Sequence, residues 1–212
     1  MIVVLKIGIS LRIVETLSYK DTRDALSHDW VNFLQQLNFI PILIPNSLEN
    51  IKNFLENLHL DGIILSGGDN IGDFPVRDKT ERKIIEYGIK NNIPVLGVCR
   101  GMQLINDYFG GTVKKTDSKQ HIAKDHHVFL SGKFNNEFTD QVQVNSFHKN
   151  IILKEDLGDK IKDFAKCNED NTVEGIYHED LSIIGVMWHP ERKQDEFNKK
   201  ILEKLFNDKK FW

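Results

Sequence analysis

Seven residues, Gly97-Val98-Cys99-Arg100-Gly101-Met102-Gln103, place a thiol between two glycines where an apolar run ends and a helical pattern begins. Strand, sharp turn and helix in that order is the setting of a nucleophile elbow, here with sulfur as the nucleophile. The turn pushes the nucleophile out above a sheet, so the residues two before and two after it must lack side chains. Gly97 and Gly101 meet that demand. A cysteine at a helix N-terminus also has its thiolate favoured by backbone N–H groups and the helix dipole. Read alone, the same heptapeptide is also a buried cysteine beside incidental glycines.

A second group, His189-Pro190-Glu191, follows the apolar stretch Ile183 to Trp188. Side chains two apart in an extended segment project to one side, so Glu191 is expected to orient His189. His189 would then serve as base and acid toward Cys99. In isolation such a tripeptide is more often a polar turn at a strand end; the elbow is what raises it to a candidate.

The elements that must carry these groups are legible in the periodicities. Val3 to Ser10, Phe39 to Ile44, Gly62 to Ser66 and Pro94 to Cys99 read as strands, alternating with helical patterns over Ala25 to Leu37 and around Ile51, Phe54, Leu55 and Leu58. That alternation predicts βαβ units and a parallel sheet. Asp78 and Glu81 resemble a capping box for a helix from Lys79 to Asn91, and Met102 to Phe109 reads as the helix after the elbow. After Gly110-Gly111 the pattern changes to short alternating stretches, Gln141 to Val144, Thr172 to Tyr177 and Ser182 to Met187, which predict an antiparallel or mixed section. An amphipathic helix from Asp195 to Phe206 closes the chain. No repeat or linker interrupts the 212 residues, so one catalytic domain over 1–212 is expected.

Composition narrows the function classes. A formal net charge of -3, with lysine and glutamate interleaved, supplies no basic surface for a phosphate backbone, so nucleic acid is not an expected partner. No apolar run approaches the ~20 residues of a membrane span, and Met1 to Ser10 lacks the basic start and cleavage site of a signal peptide. A cytoplasmic location with two free thiols, Cys99 and Cys167, is the expectation.

The elbow, taken with the later Gly185-Val186-Met187-Trp188-His189-Pro190-Glu191, resembles the class I glutamine amidotransferase family, and the interval between the two parts matches as well. The resemblance runs from Lys6 to about Lys193. It implies a flavodoxin-like α/β fold, with a central mostly parallel sheet flanked by helices and a small antiparallel section in the second half. It also implies roles. Leu65-Ser66-Gly67-Gly68 resembles the family's oxyanion loop, with Gly68 and Arg100 as the N–H donors. Gln103 and the segment Asn145-Ser146-Phe147-His148 resemble its glutamate-binding residues. From the residues alone, Gly67-Gly68 is equally a β-turn and Gln103 a helix-surface amide.

Arg100 directly after the cysteine, Arg77-Asp78 and the Asn-Ser-Phe-His segment are most similar to the γ-glutamyl-γ-aminobutyrate hydrolase branch, which acts on γ-glutamyl amides without a synthetase partner; no cofactor is expected for this chain. This chain is shorter than that branch over Asp69 to Val76, which leaves its amine-side substrate open; a γ-glutamyl nucleotide amidate is the narrower expectation. Arg12 and Arg77 lie at strand ends, where open α/β sheets bind ligands, and are candidates for an anionic substrate group. The rivals are a glutaminase subunit that passes ammonia to a separate synthetase, and a non-catalytic binding protein that keeps the fold. His121, Asp125, His126 and His127 match no closed zinc spacing, and neighbouring strand residues face opposite ways, so no metal is expected there. His28, His59, His178 and Cys167 receive no function.

Overall fold

In a computed structural model the chain is described over residues 4–16, 19, 21–116, 121–209 and 212. The first half alternates strand and helix as the periodicities require. Strand β1 (Lys6–Ser10) leads to a hairpin of β2 (Arg12–Glu15) and β3 (Thr22–Ala25), then α1 (His28–Gln36), β4 (Ile40–Ile44), α2 (Ile51–Leu58), β5 (Gly62–Leu65), α3 (Pro75–Lys90), β6 (Val95–Val98) and α4 (Arg100–Tyr108). The second half holds β7 (Lys114–Lys115), β8 (Ile122–Leu130), α5 (Lys133–Glu137), β9 (Gln141–Phe147), β10 (Asn150–Ile151), β11 (Ile161–Cys167), β12 (Val173–His178), β13 (Ile183–Val186) and α6 (Glu196–Asp208).

Among the described residues the main sheet has nine strands in the order β4-β1-β5-β6-β13-β12-β11-β8-β9. The pairings from β4 to β13 are parallel and those from β13 to β9 antiparallel. The inner parallel strands β1, β5, β6 and β13 are buried on both faces, as their near-continuous apolar runs require, while edge strand β4 leaves Ile40 and Leu43 exposed. Alternate residues still serve different layers: Ile7, Ile9, Ile64 and Leu96 pack beneath α1 and α6, whereas Ile63, Leu65 and Val95 pack beneath α2, α3 and α4.

Four departures from the sequence reading have local causes. The antiparallel section is large, because β8 and β11 extend it. In β11 the register shifts between Asp163 and Lys166, so Phe164 and Ala165 are both buried and the period of two is lost. The hairpin β2–β3 is polar and half exposed, so Ala25 ends a strand and α1 starts later, with Ser27 as N-cap accepting from Asp29 N–H. Helix α3 begins at Pro75, a residue whose missing N–H costs nothing in a first turn, and no side chain caps it. Asp78 is therefore in the first turn, and Glu81 is fully buried instead of closing a capping box. Val3, part of the expected first strand, lies outside the described residues.

Candidate active site

Strands β1, β5, β6 and β13 run parallel and end together, which brings Ser10 to Arg12, Ser66 to Asp69, Cys99 and His189 to one edge of the sheet. Cys99 has φ 51° and ψ -104°, a backbone region that side-chain-bearing residues seldom adopt and a local strain of roughly 1–3 kcal/mol. Its N–H bonds Val186 O at 2.8 Å, which holds the turn against β13. A Cβ on Gly97 would lie 2.6 Å from the Gly101 backbone, and one on Gly101 only 2.2 Å from Leu65 O. Helix α4 can thus start directly at the sheet edge only because both positions are glycine.

His189 is placed from two sides. Asn145 on β9 clamps its backbone, donating Nδ2–H to His189 O at 2.8 Å and accepting His189 N–H at 2.9 Å. Glu191 Oε1 lies 2.8 Å from His189 Nδ1. Pro190 to Arg192 form a single 3-10 turn, so the pairing of His189 with Glu191 comes from a turn and not from an extended segment. A carboxylate accepts, so Nδ1 carries the proton and Nε2 is left for the hydrogen bond with Cys99.

The electrostatics of the pair follow from this contact. Burial opposes the imidazolium, but the hydrogen bonds and negative charges of Cys99 and Glu191 outweigh it and raise His189 to about 9. Burial likewise opposes the Cys99 thiolate, and His189, followed by the charge of His148 and then the Arg100 N–H, brings the thiol below its ordinary value. Burial dominates at Cys167 and, with the negative charges of Asp170 and Glu174, outweighs the Glu169 and Asp170 N–H groups, so this thiol is pushed up to about 11. Iodoacetamide is therefore expected to label Cys99 at neutral pH and leave Cys167 untouched, as read by peptide mass spectrometry. Cys99 labelling should fade only as pH falls below the usual thiol range. In His189→Asn the profile should move up in pH, since burial remains and its main counterweight is gone. Equal labelling of the two cysteines, or an unmoved profile, would refute the pairing.

Beneath the cleft lies a buried ionic network that sequence reasoning did not assemble. Arg77 is fully buried and donates to the carbonyls of Ser66 (2.8 Å), Gly67 (3.1 Å) and Gly68 (2.8 Å), to Asp69 Oδ2 (2.8 Å) and to Glu81 Oε1 (3.0 Å). Glu81 also accepts from Ser10 Oγ and pairs with Arg100, which in turn pairs with Asp78. Arg77 is thus not a substrate contact. With every donor group engaged inside the protein, it braces the Ser66–Asp69 loop, three of whose carbonyls are drawn toward it. Gly68, at φ +86°, is the residue that lets the loop turn there.

The cleft above has a volume of about 400 Å³ and is lined by Arg12, Trp30, Gln103, Phe147, His148 and Asn150, among others. Arg12 lies over Gly68, half exposed, with Asp69 Oδ1 3.6 Å away. Gln103 is 2% exposed and accepts from Asn150 Nδ2 at 3.1 Å. Phe147 stands edge-on to His189 and carries the Arg192 guanidinium 4.4 Å above its ring. Two residues of the expected glutamate-binding segment lie elsewhere: Asn145 is used on the His189 backbone, and Ser146 is fully buried, donating to His121 O at 2.9 Å. Asn150 and Arg192 were not singled out from sequence, since each joins the cleft only through contacts distant in the chain.

The glutamine amidotransferase class-I family matches residues 19–209. Gamma-glutamyl-CDP-amidate hydrolase of Campylobacter jejuni is 33% identical over 95% of this chain and 97% of its own. Anthranilate synthase component 2 of Cyanophora paradoxa is 31% identical over 88% of this chain and 96% of its own. A crystal structure from Thermoplasma acidophilum, bearing the name of a GMP synthase component, superposes with TM-score 0.74 at 24% identity, covering 96% of this chain and 93% of that one; it speaks for the fold. A family match along nearly all of the described residues, with relatives at about a third identity over almost their full lengths, leaves one assignment: the chain belongs to the class I glutamine amidotransferase family.

Proposed function

We propose that this chain hydrolyses a γ-glutamyl amide through a thioester on Cys99, acting without a synthetase partner. The observation that carries the reading is the strained Cys99, its thiol held low by His189, which Glu191 in turn holds, at the floor of an open cleft. Cys99 Sγ attacks the γ-carbonyl carbon, and the resulting oxyanion is received by the N–H groups of Gly68 and Arg100. His189 protonates the departing nitrogen as the C–N bond breaks, leaving a γ-glutamyl thioester. A water molecule, deprotonated by His189, then attacks the thioester and restores the thiolate with release of glutamate. Gln103, Phe147 and His148 line the place where the glutamyl chain would lie.

The narrower reading is a γ-glutamyl nucleotide amidate, whose cleavage gives glutamate and a nucleoside diphosphoramidate. It is supported by the activity named for the Campylobacter relative and by Arg12, Lys149 and Arg192 at the cleft. Each charge-assisted hydrogen bond to a diphosphate is worth roughly 1.5–3 kcal/mol. Arg12→Met is therefore expected to lower kcat/KM for γ-glutamyl-CDP-amidate at least about tenfold and for γ-glutamyl-GABA much less. An equal fall for the two substrates would remove the diphosphate while leaving the thioester chemistry in place. The relation to anthranilate synthase component 2 favours one second reading, an ammonia-delivering glutaminase. Purified chain that is nearly idle alone on γ-glutamyl amides, and is activated only by a synthetase, would establish that reading instead.

A further inference from the structure

Glu174 on β12 is fully buried and faces histidines that the chemistry above leaves unused. His121 Nδ1 lies 3.7 Å from its Oε1, and His126 Nε2 lies 3.6 Å from its Oε2. His121, His126 and Glu174 side chains are 0–1% exposed. Among the described residues, His121 Nδ1, both ring nitrogens of His126 and Glu174 Oε2 have no hydrogen-bond partner. Thr172 Oγ1 is 3.3 Å from Glu174 Oε1, but its one proton is committed to Asp170 at 2.7 Å. Buried polar atoms are ordinarily paired, so this concentration at one point calls for an explanation.

The acceptors around His121 say what is missing. Asp170 Oδ2, 2.8 Å from His121 Nε2, can only accept, so Nε2 holds the ring proton and Nδ1 turns a lone pair toward the Glu174 carboxylate. Separations of 3.6–3.7 Å are too long for hydrogen bonds. They are close to the spacing of two ligands on one ion, since ligand distances of ~2.0–2.1 Å in tetrahedral geometry put neighbouring donor atoms roughly 3.3–3.4 Å apart. The donor atoms of His121, His126 and Glu174 all lie within 4.8 Å of one another. A carboxylate that receives the other ring N–H of a ligating histidine is the usual outer partner at such sites, and Asp170 stands there.

We infer that His121, His126 and Glu174 form a binding site for a divalent transition metal of the zinc class, with Asp170 orienting His121. The site is separate from the catalytic machinery and ties β8 to β12 across the intervening β11. His148 borders it, its Nε2 3.5 Å from Glu174 Oε1 and its ring stacked on His121, so the bound ion would also fix one wall of the cleft. A second grouping, His121 with Cys167 and Asp170, would take as a ligand the Asp170 carboxylate whose Oδ2 is already bonded to His121 Nε2. Asp125 and His127, the other half of the tract noticed in the sequence, are exposed.

The test uses full-length Cys99→Ala protein, which lacks the active-site thiol as a competing ligand, stripped with chelator and titrated with Zn2+ and Co2+. The expected result is one ion per chain, a Zn2+-dependent rise in Tm, and Co2+ bands of a tetrahedral nitrogen–oxygen site without thiolate charge transfer. Asp170→Asn should weaken binding roughly 10–100-fold. His126→Asn and Glu174→Gln should abolish it, and His127→Asn should leave it intact. Folding of each variant is checked by circular dichroism; should one fail to fold, the Co2+ spectrum of the parent decides by itself. Absence of Co2+ bands and of any Tm shift at millimolar Zn2+ overturns the site. So does binding that survives Glu174→Gln, or a thiolate charge-transfer band that disappears with Cys167→Ser.

Discussion

Cys99→Ala is expected to lower kcat/KM on a γ-glutamyl amide roughly 10⁴-fold or more while the protein stays folded. The nucleophile is one member of a unit whose loss removes nearly all the covalent catalysis, leaving only what binding and oxyanion donors supply. Little volume is lost, and alanine is no worse suited than cysteine to φ 51°. Glycine is better suited, because it reaches positive φ without steric cost. Cys99→Gly should therefore be as inactive as Cys99→Ala and more stable than it by about 1 kcal/mol, as read in urea unfolding midpoints. Turnover in Cys99→Ala within tenfold of the parent would end the thioester mechanism. A less stable glycine variant would show that the elbow stores no strain.

Arg77→Met is expected to cost about 3–5 kcal/mol of stability, because it strips one guanidinium from a buried network and leaves carboxylates and carbonyls without their donor. Glu81 keeps Ser10 and Arg100 as partners, so the lower end of that range is expected. Against a typical domain stability of about 5–15 kcal/mol, a loss of this size is a large fraction of the whole. Arg77→Lys retains the charge but not the planar fork that reaches three carbonyls, so it should fold better than the methionine variant yet turn over slowly, its oxyanion loop no longer held. Urea unfolding and kcat measured on both variants check this. Unchanged stability with a raised KM would instead return Arg77 to the substrate side, where its position near a strand end first suggested it.

The contrast between Arg77 and Cys99 marks how far the sequence alone reaches. The elbow was legible because its requirements are local: a strand, a sharp turn, glycine on either side of the thiol and a helix are all imposed by contacts among a handful of consecutive residues. Clearances of 2.2–2.6 Å at Gly97 and Gly101 are the same constraint met in three dimensions. The parallel half of the sheet was legible for a similar reason, since its inner strands, buried on both faces, are written as short, mostly apolar runs. Strand β11 was not, because a bulge cancels the alternation that would have revealed it.

What only the tertiary structure decided are the partners of charged groups. Arginine at position 77 carries the same local signal whether it faces solvent, substrate or a buried glutamate. The outcome depends on Asp69, Glu81 and three loop carbonyls arriving from other elements. Asn145 and Ser146 looked like ligand contacts by resemblance and are spent on the backbones of His189 and His121, because β9 is paired with β8 and faces the end of β13. His121 and His126 had no matching ligand in their own stretch of chain; Glu174 reaches them from a strand two places away in the sheet. Local sterics and hydrophobic period act over a few residues and can be read along the chain. Hydrogen bonds and charge pairs are settled by whichever group the fold delivers within about 3–4 Å, and that is a property of the sheet order, not of any segment within it.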